Sequence, residues 1–273
     1  MYDLGILEAK IVDGSRAPWY MGDVGIKDGK ISRIGRIEKS ECARTINADG
    51  RVLAPGFIDI HSHYDSAIFS DPVLLSVVRQ GVTTVISGQC GDSRAPLRDN
   101  MIADFAKSSA AGSAGAEILY NWRSFGDFLA MVNTMKLGVN LGSLVGHSTI
   151  RRCVLGVENR APTPAELDDM KQLLDKSLYE GALGFSTGLV YAPGVFAETP
   201  ELIELAKVLR KYSAPYMTHL RSESDFFIEA IEEALTIAKQ ANVACHLAHH
   251  KALGKSNWHK IETSLRLVEE ARS

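Results

Sequence analysis

From Pro55 onward the chain repeats one grammar, a short apolar run followed by an amphipathic helical stretch, and this alternation restricts the fold more than any other feature. The runs lie at 56–60, 82–87, 139–145, 182–186, 215–219 and 243–248. They are short and nearly continuous in apolar character, as expected of parallel strands covered on both faces. The stretches between them carry helix signals. Thr163-Pro164-Ala165-Glu166 joins an N-cap hydroxyl, a first-turn proline and a glutamate at N3. It opens a helix with Leu167, Met170, Leu174 and Leu178 as its apolar positions. Thr199-Pro200-Glu201 opens another, with Leu202, Leu205 and Leu209. Ser222 starts a third, with Ile228, Ile231, Leu235 and Ala238 spaced by threes and fours, and a last helix runs over 258–272. Six such units in a row predict a (β/α) barrel or a doubly wound sheet.

Residues 1–53 follow a different pattern. Short valine- and isoleucine-rich segments at 6–12, 24–27 and 30–37 are broken by Asp-Gly pairs at 13–14, 28–29 and 49–50. The segment Val24 to Ile34 reads as a hairpin turning at Asp28-Gly29. The expected organisation is a partial β-sandwich over 1–53 and an incomplete (β/α) barrel over 54–273. The stretch 96–121, rich in Ala, Gly and Ser, reads as an insertion on the loop after the second strand, where loops commonly border an active site.

Hydrophobic residues make up 45% and charged residues 23% of the 273, enough apolar material for a sizeable core. The net charge of −3 gives no basic surplus for a nucleic-acid surface. Apolar runs are strand-length, too short for a membrane span. The opening MYDLGILEAKIVDG carries acids and has no basic segment leading an apolar core, so no secretory signal is expected. Cys42, Cys90, Cys153 and Cys245 lie far apart, which in a chain of this size favours free thiols or a metal ligand over disulfides. Together these point to a cytoplasmic protein.

Residues of metal-ligand type cluster at the ends of the apolar runs. The first ends in His61-Ser62-His63, with Asp65 following; the second leads to Cys90; the third ends near His147; the fifth ends at His219; the sixth leads to His249-His250-Lys251. In a (β/α) barrel all these ends share the face where active sites are built. Alternate strand residues point the same way, so His61 and His63 can aim at one ion with Ser62 turned aside. A thiol and several imidazoles suit zinc. Each residue alone has a bland reading. A single histidine is more often a hydrogen-bonded structural group, and Cys42, Cys153 and Cys245 are taken as small packed side chains. His246 reads as packed and His259 as solvated. The coincidence of five candidate ligands on four strand ends is what favours a metal site.

These residues carry a family resemblance. Ala54-Pro-Gly-Phe-Ile-Asp-Ile-His-Ser-His-Tyr-Asp65 resembles the first-strand motif of the amidohydrolase superfamily. Several further segments resemble its D-aminoacylase (N-acyl-D-amino-acid deacylase) branch: Ser87-Gly-Gln-Cys-Gly91, Leu144-Val-Gly-His-Ser-Thr149, the run from Gly181 to Gly194, Thr218-His-Leu-Arg-Ser-Glu223 and Ala248-His-His-Lys251. The resemblance implies a TIM-like (β/α)8 barrel of the metal-dependent hydrolase type, about six of its βα units being present here, with an attached β-sandwich. By position it implies that Cys90, His219 and His249 are the ligands of one tight zinc, and that His61 and His63 belong to a second, weaker position. Dihydroorotase- and hydantoinase-like members use a lysine after the fourth strand, and residues 182–187 contain none.

The implied reaction is hydrolysis of the amide bond of an N-acyl-D-amino acid, a small-molecule substrate, giving a carboxylate and a free D-amino acid. Lys251 and Tyr191 match family positions that contact the substrate α-carboxylate. Tyr191 reads equally as an aromatic packed on the barrel rim. Arg221, two residues after His219, reads equally as a substrate contact or as an ion-pair partner of Glu223 or a neighbour. The family's general-base aspartate belongs to the eighth strand, which the resemblance puts beyond residue 273. The chain therefore reads as a fragment, a truncated product or half of a split pair that needs a C-terminal half. The alternatives are a truncated, non-catalytic metal-binding remnant and another amidohydrolase chemistry, such as a cyclic amidase or deaminase.

Overall fold

The Asp28-Gly29 pair reverses the chain as its sequence requires, pairing Lys27 with Lys30 across an antiparallel hairpin. Its strands are β2 (Tyr20–Lys27) and β3 (Lys30–Gly35), and β2 also pairs antiparallel with β1 (Leu4–Ile11). On the other side of β1 lie β4 (Thr45–Asn47) and β5 (Val52–Leu53), both parallel to it. Ala9, Ile11 and Val24 form the buried cluster of this sheet. The computed structural model describes residues 1–99, 101–102 and 120–272, so most of the expected 96–121 insertion lies outside the described residues. The chain divides into two compact units, Met1–Phe57 and Ile58–Ser273. Among the described residues the first unit is one five-stranded sheet.

The apolar runs after Pro55 form short strands: β6 (Phe57–Asp59), β7 (Val82–Ser87), β8 (Asn140–Ser143), β9 (Val145–Gly146), β10 (Phe185–Gly188), β11 (Tyr216–His219) and β12 (Cys245–Leu247). Their order is sequential, β6-β7-β8 in one sheet and β9-β10-β11-β12 in the next. The single run expected at 139–145 serves both. β8 pairs in parallel with β7, and β9 pairs in parallel with β10. Between them Leu144 N donates to Ser87 O at 2.9 Å and Val145 N to Gly184 O at 3.0 Å. A doubly wound sheet reverses its strand order at a switch point. No such reversal occurs among the described strands.

The helices cover the strands with the faces their spacing dictates. They are α1 (Leu75–Val78), α2 (Phe125–Asn133), α3 (His147–Val154), α4 (Pro164–Tyr179), α5 (Thr199–Ala206), α6 (Phe227–Ala241) and α7 (Ile261–Arg272). Met170, Leu174 and Leu178 of α4 and Leu202 and Leu205 of α5 join Val85, Val145, Phe185 and Tyr216 of the strands in the main core. Phe227, Ile231 and Ala234 of α6 form a second cluster, against which Ile261 and Leu267 of α7 pack. Thr163 and Glu166 make the expected reciprocal cap at the start of α4.

Several boundaries differ from the sequence reading for local reasons. β10 begins at Phe185 rather than 182, because Gly181 N and Ala182 N close the end of α4 by donating to Leu178 O and Ser177 O. α6 begins at Phe227 rather than Ser222, whose hydroxyl instead accepts from Ser224 N in a local turn. α5 opens at Thr199 as read, and the Thr199 hydroxyl donates to Glu233 Oε1 at 2.8 Å. The last α-helix starts at Ile261, because residues Lys255–Lys260 form a 3-10 turn. No helix among the described residues is long and apolar enough to cross a membrane.

Candidate metal centre

The parallel arrangement brings the ends of β6, β7, β11 and β12 to one region, and with them five candidate ligands. His61 and His63 follow β6. Ser62 between them is buried; its backbone N–H and hydroxyl donate to Ile86 O at 3.0 and 3.1 Å, turning it toward β7. Cys90 sits in the turn after β7, His219 is the last residue of β11, and His249 lies in the turn after β12. Two triplets result, His61-His63-Cys90 and Cys90-His219-His249, and within each one ligand atom per residue lies within 4.8 Å of the others. Cys90 is common to both. Its Sγ is 3.4 Å from His61 Nε2 and 3.7 Å from His249 Nε2.

The backbone is bent to present these side chains. Cys90 and His249 both have left-handed backbones, at φ +53° and +35°. Non-glycine residues rarely adopt that region, and where they do the surrounding structure must hold them there. Around Cys90 the clasp is made by neighbouring chain segments. Gly91 O accepts from Ser148 N at 2.9 Å, and Gly91 N donates to Ser186 Oγ at 3.0 Å. Gln89 Nε2 donates to Ile60 O at 2.7 Å, tying the cysteine turn to the chain entering His61. Gly188 and Gly146 let backbones touch. A Cβ at 188 would lie 2.0 Å from Cys90 O, and one at 146 would lie 2.4 Å from Gly91 O.

The electrostatics favour neutral groups. Burial pushes His61 and His219 down to about 4, with the neighbouring His249 imidazole adding to the effect. Burial also lowers His63. Burial raises the Cys90 thiol to about 11, and the Glu223 carboxylate reinforces this. Such a cluster of desolvated, uncharged donors is arranged to receive a cation, which would favour the thiolate. Among the described residues the buried Nδ1 atoms of His61 and His219 have no hydrogen-bond partner. One sulfur and four imidazoles are zinc-type donors.

The remaining expected residues are placed as follows. The Tyr191 ring stands edge-on to His219, with centroids 5.0 Å apart, and is half-exposed. Lys251 donates to Glu223 Oε2, and its Nζ is 3.4 Å from His249 Nδ1. Arg221 is committed elsewhere. It pairs with both oxygens of Glu233 at 2.9 Å and donates to Val195 O and Ala197 O. The ion pair left open in the sequence is thus made with Glu233, not Glu223. His147 lies outside the triplets, buried against Glu201 Oε1 at 2.8 Å beside Arg151. The His250 ring packs on Phe227. Sequence reasoning gave Glu223 no place at the site; its Oε1 lies 2.6 Å from His249 Nδ1 and its Oε2 3.9 Å from His219 Nε2. Its sequence signals were its position four residues after a candidate ligand and its place at the end of the Thr218–Glu223 segment.

The amidohydrolase family model matches residues 44–264. The chain belongs to the amidohydrolase family. An N-acyl-D-aspartate deacylase from Alcaligenes xylosoxydans xylosoxydans is 37% identical over 270 residues, covering 98% of this chain and 53% of that protein. A D-aminoacylase structure described by the functional role of its binuclear metal centre is 33% identical and superposes with a TM-score of 0.90 over 100% of this chain and 56% of that one. An N-acyl-D-glutamate deacylase from Bordetella bronchiseptica, complexed with zinc and a phosphonate mimic of the tetrahedral intermediate, is 34% identical with a TM-score of 0.89, covering 99% of this chain and 56% of that one. The chain spans about half the length of the curated relatives it matches.

Proposed function

We propose that this chain carries the metal-binding half of a zinc-dependent deacylase that hydrolyses the amide bond of N-acyl-D-amino acids, releasing a carboxylate and a free D-amino acid. In this reading the sequential parallel strands are part of a TIM-like (β/α)8 barrel, with residues 1–53 contributing to an attached β-sandwich. The observation that carries the proposal is the pair of ligand triplets sharing Cys90 at the strand ends. Cys90, His219 and His249 would hold the tighter zinc, and His61 and His63, with the same cysteine, a weaker second one. Bound there, zinc would supply Lewis-acid polarisation of the scissile carbonyl and acidification of the attacking water. The chain's own residues hold and orient the substrate. Lys251 and Tyr191, at the margin of the site, would take the α-carboxylate through a charge-assisted hydrogen bond and a phenol hydroxyl. Arg221, spent on Glu233, is left out of that role. Four free thiols support a reducing, cytoplasmic setting.

The test is hydrolysis of N-acetyl-D- and N-acetyl-L-amino acids, including the acidic ones, by the zinc-loaded protein. It is run on the chain alone and on the chain joined in frame to the C-terminal half of a related deacylase. Turnover selective for the D-series supports the proposal. Absence of turnover in both forms, or turnover of a hydantoin or dihydropyrimidine in its place, overturns it.

A further inference from the structure

We propose that Glu223 is a positioning residue for the metal centre, one that fixes which nitrogen of His249 is presented to the ion. This rests on the reading of Cys90, His219 and His249 as metal ligands. Glu223 lies on the loop between β11 and α6, four residues beyond His219. That loop is anchored independently of any ion. Arg221 ties it to Glu233 of α6. Glu223 O accepts from Leu253 N at 2.6 Å, fastening it to the loop that follows β12. The side chain is therefore delivered to the site by the scaffold, and it is largely buried.

Its two oxygens have separate tasks. Oε1 is 2.6 Å from His249 Nδ1, while Oε2 is held by Lys251. The Lys251 ammonium engages Oε2 and lies farther from His249 Nδ1, at 3.4 Å, than Oε1 does. A carboxylate at that distance accepts only if Nδ1 carries the proton, so the lone pair of His249 is confined to Nε2. Nε2 is the atom facing Cys90 Sγ, at 3.7 Å. The left-handed backbone at His249 adds to the need for such a brace, because the ring projects from a turn rather than from a strand. Carboxylate partners of this kind orient a histidine ligand and raise its basicity, and their removal typically weakens metal binding by about 10–100-fold.

The decisive comparison is among the wild-type chain, E223A and E223Q. The tautomer of His249 is read by two-bond 15N–1H NMR on metal-free protein, and zinc affinity is read by competition with a chromophoric chelator. Expected are an Nδ1–H tautomer in the wild type and in E223Q, whose amide oxygen still accepts, and a mixed tautomer in E223A. Zinc affinity should fall by about 10–100-fold in E223A and by much less in E223Q. An unchanged tautomer in E223A, or a loss of affinity as large in E223Q as in E223A, overturns the inference. A wild-type chain that binds no zinc would refute the metal-centre reading itself, while the tautomer measurement would still decide the role of Glu223.

Discussion

Zinc binding to the Cys90-His219-His249 triplet should release one proton per ion. Burial and the Glu223 charge hold the Cys90 thiol at about 11, so near neutral pH it enters the reaction as S–H and must leave as S⁻. His219, lowered to about 4 by burial, is already neutral and releases nothing. The affinity for zinc should then rise tenfold per pH unit, so that between pH 7.5 and 9.0 it grows about 30-fold, or about 2 kcal/mol at about 1.4 kcal/mol per unit. The rise continues until pH approaches the thiol value and the advantage of deprotonation is spent. The assay is chelator competition across that range, paired with calorimetry in two buffers of different ionisation enthalpy. Cys90→Ser should remove the slope along with most of the affinity. A flat profile in the wild type would mean the thiol is already ionised and its burial does not govern it. A slope near two would mean a histidine starts out charged. Either result refutes the electrostatic account.

Other perturbations separate the site from the scaffold. Gly188→Ala would put a methyl group 2.0 Å from Cys90 O, forcing the two backbones about 1 Å apart; a loss of about 1–3 kcal/mol in thermal stability and weaker zinc binding are expected, and an unchanged melt would refute the close approach. Asp65 is buried and its carboxyl is raised from 3.8 to about 6, so the folded state favours its protonated form and loses that stability as pH rises through 6. Asp65→Asn should accordingly gain stability relative to wild type between pH 4 and 7, by up to about 3 kcal/mol, and a pH-independent difference in denaturant melts would contradict it. Arg221→Met should lower stability by about 1–2 kcal/mol, because Glu233 keeps only the Thr199 hydroxyl, and should weaken zinc binding less than E223A does, because Arg221 acts only through the loop that carries Glu223; a loss of zinc binding larger than that of E223A would make Arg221 part of the site itself.

The strands were legible because parallel strands buried on both faces read as apolar runs, and β7 falls on its expected residues. The cap at Thr163 was legible because hydroxyl, proline and glutamate each act within one turn. The start of α6 was not, because Ser222 had two uses and only the tertiary contacts of Arg221 and Glu223 select the turn over the helix. The five candidate ligands were legible from their strand-end positions, and the structure brings them together. That Cys90 belongs to both triplets could not be read, since it depends on the curvature that carries β6 and β12 toward the same turn. The partner of Arg221 was hidden for a similar reason. Glu233 lies one helix away in sequence, and nothing local favours it over Glu223.

The contacts around the cysteine turn also limit how this site can change over generations. Ordinary packing can drift, because a side chain that grows on one residue can be answered by one that shrinks on its neighbour. At Gly146 and Gly188 the opposing atoms are the carbonyl oxygens of Gly91 and Cys90, which no substitution can trim. Compensation at those positions would have to move whole chain segments. Variation that retunes such a protein is therefore channelled away from the clasp and toward positions such as Tyr191 and Lys251, whose side chains are partly exposed.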